Sequence, residues 1–322
     1  MAVYTKIKNK DVVSLCDDYK IGDVTKFEGI KKGIENTNYL LRTSKKKYIL
    51  TIFEKRVQKR DLPFFMSLME ILNQKKIICP KPLKNGKGKH LSTIQNKPFC
   101  IVTFLKGADK INLNYKNCFD IGKNIAKFHK VTCKMKLYRE NSMSINKLGN
   151  LLKSIRFTSN KVAPKLEPTL KACLKNIKNQ WPKKLPEGII HGDLFIDNIF
   201  FNKNKFSGFI DFYFSSNDYL MYEIAICINA LCFDKKMNSF VMNNKKIKNL
   251  IDGYESIRTF SKKEKDALNI LCRGAALRYL LTRIYDYFNT PKTALIQIKD
   301  PNEYLQKLII HSNLNSYKDY YK

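Results

Sequence analysis

Acidic residues are in short supply in this chain: 28 Asp and Glu face 60 Lys and Arg in 322 residues, for a formal charge of +32. Histidine is scarce as well, at 4 residues, and the nine cysteines form an odd set with no Cys-x-x-Cys pair. That pattern speaks against a disulfide framework and a zinc site, and reduced cytoplasmic thiols account for it most simply. Long apolar runs are missing too. The longest, residues 224–233, is broken by Asn229 and is too short to span a bilayer. The opening residues Met1 to Lys6 carry no apolar core of the secretory kind, so the expectation is a soluble, cytoplasmic chain with no membrane contact. There is no internal repeat, no low-complexity linker and no basic tail; the lysines run along the whole chain among Asn and Ile. Counterion release rewards lysine-rich surfaces, but this spread argues against a nucleic-acid patch and leaves a general field that favours anions.

With 44% hydrophobic residues the chain can bury a substantial core, enough for one two-lobed enzyme or two domains. The patterning predicts a short helix over 11–19, strands over 24–30, 38–42 and 48–54, and a helix over 61–75 with Pro63 in its first turn. Cys79-Pro80-Lys81-Pro82 closes that helix, a further apolar strand covers 98–105, and Lys106-Gly107-Ala108 reads as a hinge. Beyond it the pattern is helical, over 121–129, 145–155, 165–181, 219–233 and 263–288. The fold class is therefore α+β: a small β-rich lobe over 1–106, a larger helical lobe over 107–322, and a nucleotide cleft at the hinge.

The most informative stretch is His191-Gly192-Asp193-Leu194-Phe195-Ile196-Asp197-Asn198, followed by a hairpin and then Ile210-Asp211-Phe212. An Asp, an Asn five residues on and a second Asp after one strand-turn-strand is a layout suited to phosphoryl transfer. Asp193 can accept a proton from a substrate hydroxyl, Asn198 can offer a neutral oxygen to Mg²⁺, and Asp211 can add a charged oxygen that bridges metal and phosphates. Hard oxygen ligands select Mg²⁺ over zinc. Alone, such a motif is weak, and a polar turn between strands would explain it. The setting strengthens it, because 188–190 lead in as a strand, 199–201 lead out, 202–205 turn, and 206–210 return to deliver Asp211.

Other signals are blander. Residues 84–89, Lys-Asn-Gly-Lys-Gly-Lys, resemble a phosphate loop but lack its first Gly and the following Ser or Thr, so an exposed turn is expected. Gly29 and Gly33, with Asn36, lie between two strands and could lay backbone amides against phosphates or simply shape a hairpin. His129 ends an apolar helix face and reads as a hydrogen-bonded core residue, and His191 as a brace for its loop.

Taken together, residues 33–43, Tyr48-Ile-Leu-Thr-Ile-Phe-Glu-Lys, residues 121–129, the His191 loop and Ile210-Asp211-Phe212 resemble the aminoglycoside phosphotransferase and choline kinase superfamily. Asp61-Leu-Pro-Phe-Phe, residues 191–201 and 210–214, Arg273-Gly-Ala-Ala-Leu-Arg-Tyr-Leu-Leu-Thr-Arg283 and Lys299-Asp-Pro-Asn-Glu-Tyr304 narrow the likeness to the bacterial homoserine kinases of that fold. The resemblance covers nearly the whole chain. It implies the bilobal, protein-kinase-like fold and transfer of phosphate from ATP, with Mg²⁺, to the side-chain hydroxyl of L-homoserine on the route to threonine. Carried over by motif, Asp193 is the base, Asn198 and Asp211 hold Mg²⁺, and Gly33, Asn36, Thr51, Phe104 and Leu105 face the nucleotide. Two positions depart from the superfamily: Thr51 stands where a Lys or Arg usually meets the phosphates, leaving Lys55, Arg42 or backbone amides to do so, and Glu223 stands where Asp is usual, which puts any bracing role in doubt.

Homoserine carries an ammonium and a carboxylate, so its site should offer an acid and an Arg fork. Arg273, Arg278 and Arg283 fall on one predicted helix, with Arg278 and Arg283 five apart and sharing a face poorly. Arg278 and Arg283 are the candidates for the carboxylate; Asp218 and Asp197 are the candidates for the ammonium, although Asp197 could equally cap its turn. Tyr213 either lines the same pocket or packs in the core. The alternatives are a kinase for another amino alcohol or an aminoglycoside, since a fold does not fix its acceptor, and a basic nucleic-acid-binding protein. Oligomeric state is not legible.

Overall fold

Period-two alternation of apolar residues dictates the amino-terminal architecture. In the computed structural model, which describes residues 4–30, 36–54, 57–110, 112–290 and 298–322, the first elements are α1 (Asn9–Asp18), β1 (Val24–Gly29), β2 (Thr37–Thr43), β3 (Lys47–Ile52), α2 (Leu62–Gln74), β4 (Leu91–Ile94) and β5 (Lys97–Thr103). The strands form one antiparallel sheet in the order β1-β2-β3-β5-β4. Tyr39 and Leu41 of β2, Leu50 and Ile52 of β3, and Phe99 and Ile101 of β5 share a buried cluster that Val12 and Cys16 of α1 close. β4 is absent from the sequence reading. Its turn to β5 uses Gln95 and Asn96, both at positive φ (48° and 61°), the geometry of a two-residue hairpin without the usual Asn-Gly signature.

The remaining elements are α3 (Tyr115–Thr132), α4 (Leu148–Ser154), α5 (Arg156–Ser159), α6 (Leu166–Gln180), β6 (Glu187–Ile190), β7 (Ile199–Asn202), β8 (Lys205–Phe209), β9 (Ser216–Tyr219), α7 (Leu220–Leu231), β10 (Phe233–Lys236), β11 (Ser239–Met242), α8 (Asn244–Glu255), α9 (Lys262–Asn289), α10 (Asn302–Ser312) and α11 (Tyr317–Tyr320). The chain divides into two compact units. The first is the amino-terminal portion up to Gly107 together with Ser207–Tyr213; the second begins at Ala108 and holds most of the rest. Local bonds explain why 207–213 joins the first unit. Ser207 donates to the Lys106 carbonyl, Phe209 N–H donates to the Ile78 carbonyl at 3.2 Å, and the Tyr213 ring meets Phe53 and Phe65 edge-on at 5.0 and 5.6 Å.

In the second unit α7 is buried on nearly every face and packs along α9, which is why its apolar residues show no one-sided helical period. The polar pattern Ser216-Asn217-Asp218-Tyr219 hid β9, which pairs antiparallel with β6 from Glu187↔Tyr219 to Ile190↔Ser216. α3 and α8 approach so closely that a Cβ on Gly122 would sit 2.0 Å from the Leu250 carbonyl oxygen, and one on Gly253 equally near that of Phe119. Gly122→Ala is therefore expected to force the two helices apart at a cost of roughly 1–3 kcal/mol or more; thermal unfolding of the variant, with an exposed Gly86→Ala change as reference, measures it. His129 is wholly buried between these helices, 2.9 Å from the Tyr254 hydroxyl, and burial pushes its pKa down to about 3. It is a core residue, as its position on the helix face suggested. Among the described residues no helix is long and apolar enough to cross a membrane, and none of the nine cysteines is paired.

Candidate active site

In the second unit, β6 ends at Ile190 and the chain enters a loop that must reverse sharply before β7. Gly192 makes the turn at φ +77°, where a Cβ would also press to 3.0 Å from the Phe214 carbonyl oxygen. A short 3₁₀ turn, Ile196–Asn198, then brings Asn198 back beneath Asp193. The Asn198 Nδ2 donates to the Asp193 carbonyl at 2.8 Å and to its Oδ2 at 3.2 Å. With the amide nitrogen committed to Asp193, the Asn198 carbonyl oxygen is turned the other way, as a neutral metal donor requires. Asp193 and Asn198, read five apart in sequence, are thus brought into direct contact. Asp197, between them, is partly exposed in the same turn.

Three further groups hold this loop. The Glu223 carboxylate of α7, fully buried, accepts the backbone N–H of His191 and that of Gly192, the latter at 3.2 and 3.3 Å to its two oxygens. This resolves the doubt attached to Glu at this position: the longer side chain reaches the loop backbone and binds it twice. Burial pushes its pKa up to about 8, against the two amides and Arg278, which pull it down. Second, the Tyr279 hydroxyl of α9 donates to the Gly192 carbonyl at 3.1 Å and lies 3.5 Å from Asp193 Oδ1. Third, the Phe195 ring meets Tyr279 edge-on at 4.9 Å. Tyr279 and Phe195 were not singled out from sequence; the available signal was the neighbouring Arg278, which fixes the face of α9 that looks toward the loop.

The proposed acceptor residues fare differently from one another. Arg278 is buried, with its guanidinium 4.7 Å from the Tyr279 ring centroid. Burial opposes its charge, but Tyr279, Tyr222 and Asp193 outweigh that and hold its pKa above the ordinary range. Asp218 on β9 accepts from Asn141 Nδ2 at 2.6 Å and from the Tyr219 amide at 2.7 Å, and burial raises its pKa. Arg283 is engaged elsewhere, donating to Glu303 at 2.6 Å and to the Asp300 carbonyl at 3.0 Å.

In the first unit, Asp211 is exposed and left-handed at φ +63°, a conformation costly for a non-glycine residue. Tyr213, two residues on, packs against Phe53 and Phe65 with its hydroxyl 3.8 Å from Cys100 Sγ; burial drives its pKa well up. Thr51 is buried on β3 and donates to Asn38 Oδ1 at 2.7 Å. Asn36 is buried too, accepting from the Glu54 amide at 3.4 Å, and Phe104 N–H donates to the Lys47 carbonyl at 3.3 Å with Leu105 half-buried after it. Arg42 pairs with Glu28 at 3.2 Å, while Gly33 and Lys55 lie outside the described residues. The 84–89 turn spends its amides on Asn85 and Asp18, in keeping with a turn and not a phosphate loop.

A profile of the Phosphotransferase enzyme family matches residues 26–256. Over 320 residues the chain is 40% identical to a homoserine kinase of Sinorhizobium medicae, covering 99% of this chain and 97% of that one. It is 42% identical to a homoserine kinase of Xanthobacter autotrophicus, covering 99% of each. Among solved structures, amicoumacin kinase hAmiN in complex with AMP-PNP, Ca²⁺ and Ami aligns with a TM-score of 0.68 at 14% identity, over 98% of this chain and 96% of that one. Choline kinase from Cryptosporidium parvum aligns with a TM-score of 0.67 at 12% identity, over 97% and 96%. At such identities these structures speak to the fold, which is that of the aminoglycoside phosphotransferases and choline kinases.

Proposed function

The chain belongs to the Phosphotransferase enzyme family and, within it, to the homoserine kinases, and from that premise we propose that it transfers the γ-phosphoryl group of ATP to the side-chain hydroxyl of L-homoserine, giving O-phospho-L-homoserine and ADP. The observation that carries the acceptor is identity of 40 to 42% with homoserine kinases along almost the entire length; the second unit's loop carries the chemistry.

Asp193 is the base that takes the acceptor's hydroxyl proton as the oxygen attacks phosphorus. Its carboxylate is held from two sides, by Asn198 Nδ2 and the Tyr279 hydroxyl, so it is aimed before substrate arrives. Asn198 and Asp211 are the proposed Mg²⁺ ligands, and both present the hard oxygens that Mg²⁺ takes alongside phosphates and water. Bound there, Mg²⁺ would neutralise charge on the transferring phosphates. Gly33, Asn36, Thr51, Phe104 and Leu105 are assigned to the nucleotide, and Asp197 to the acceptor ammonium. We place the reaction in the cytoplasm, where nine unpaired thiols persist without a reducing cost.

The test is ADP release from ATP and Mg²⁺ with L-homoserine, and separately with choline, L-serine and kanamycin. Turnover with homoserine alone, abolished by EDTA and restored by Mg²⁺, is the expected result. Turnover with a different acceptor instead would retain the kinase and discard the homoserine assignment.

A further inference from the structure

A homoserine site needs a cation for the α-carboxylate; two arginines of α9 are engaged elsewhere, and the third, Arg278, is buried with its Nε unpartnered among the described residues. Arg273 donates to Asn176 Oδ1 at 2.8 Å, Arg283 is clamped by Glu303 and the Asp300 carbonyl, and Arg278 is buried against Tyr279. Lys299 is different. It is exposed, and its Nζ lies 4.9 Å from the centroid of the Phe195 ring, inside the loop that runs from Asp193 to Asn198. Phe195 in turn abuts Tyr279, whose hydroxyl faces Asp193. A continuous wall of Lys299, Phe195 and Tyr279 therefore leads to the base.

The backbone that carries Lys299 is fixed as well. Its neighbour Asp300 gives its carbonyl to Arg283 Nη1 and caps the following turn, accepting from the Asn302 amide at 2.9 Å. Pro301 then opens α10, and Glu303 binds both Arg283 and Lys307. One ion pair and a carbonyl contact thus tie the Lys299 segment to α9 one turn beyond Tyr279. Among the described residues the ammonium meets the aromatic face alone, a contact worth about 0.5–1 kcal/mol at an exposed site, so it is readily exchanged for a carboxylate.

Resting on the homoserine kinase reading, we propose that Lys299 binds the α-carboxylate of the acceptor and so sets the preference for an amino acid over a plain amino alcohol. The experiment compares wild type, Lys299→Ala and Lys299→Arg with L-homoserine and with 3-amino-1-propanol, which is homoserine without its carboxylate, followed as substrate or as competitive inhibitor. Lys299→Ala is expected to raise the KM for homoserine roughly tenfold, the loss of one charge-assisted contact, with kcat within about twofold and Lys299→Arg near wild type. The kinetic constant for 3-amino-1-propanol and the KM for ATP stay unchanged. An unchanged homoserine KM, a fall in kcat in its place, equal losses for both acceptors, or a rise confined to the ATP KM each overturn the proposal. Wild type inert toward homoserine overturns the parent reading along with it, whereas active wild type with an insensitive Lys299 variant removes this assignment alone.

Discussion

Replacing Asp193 with Asn is expected to lower kcat by about 10² to 10⁴-fold, the range a positioned general base supplies. Asn is nearly the same shape but cannot accept the proton. The bond from Asn198 Nδ2 to the residue 193 carbonyl, 2.8 Å long, does not depend on the side chain, nor do the Glu223 contacts with the preceding two residues. The loop should therefore keep its shape, and the KM for ATP and the melting temperature should match wild type. Single-turnover kinetics separate the chemical step from binding and release. An Asp193→Asn enzyme with wild-type kcat would show that proton removal is done by another group or is not needed.

Glu223→Ala should act on stability first. It strips the acceptor from the His191 and Gly192 amides, which are buried and would each lose about 1–3 kcal/mol of satisfaction. Above about pH 8, where the carboxyl is ionised, it also leaves the buried Arg278 without one of its countercharges. Relief from burying the carboxylate offsets part of this, so the net cost expected in denaturant unfolding is about 2–4 kcal/mol, with lower kcat in whatever remains folded. Glu223→Gln keeps an acceptor and separates geometry from charge. Because the folded carboxyl titrates near 8 against an ordinary 4.5, the folded protein holds this proton more tightly than the unfolded chain. The stability it contributes is complete below about 4.5 and is lost as pH rises through 8. Wild type should thus lose ground to Glu223→Gln across that window, and parallel melting curves at all pH values would contradict the assignment.

Much of this was legible in the chain because local pattern and tertiary demand agree. The strands around Tyr39, Leu50 and Ile101 alternate as half-buried strands must, and the loop carries the proposed base Asp193 and the proposed metal ligand Asn198 five residues apart. What stayed hidden depends on contacts distant in sequence. Glu223 reaches back to residues 191 and 192, Tyr279 closes on Gly192 across most of a hundred residues, and β9 forms only because β6 is there to pair with it. Tyr213 illustrates an ambiguity that residue type could not resolve: its place two residues after Asp211 fits a pocket or a core, and its ring meets those of Phe53 and Phe65 edge-on. Lys299 escaped notice since an exposed lysine in a chain with 60 basic residues carries no signal of its own.

The near contact of α3 and α8 bears on how such a basic sequence can exist at all. Where Gly122 and Gly253 let carbonyls come within touching distance of the opposing helix, hardly any mutation is silent, because no side chain larger than hydrogen has room. On the exposed faces of the same two helices, Lys116, Lys127 and Lys245 occupy positions where most replacements shift stability by less than about 0.5 kcal/mol. Added positive charge is thereby tolerated on the outside of the helix pair and shut out of its inner seam.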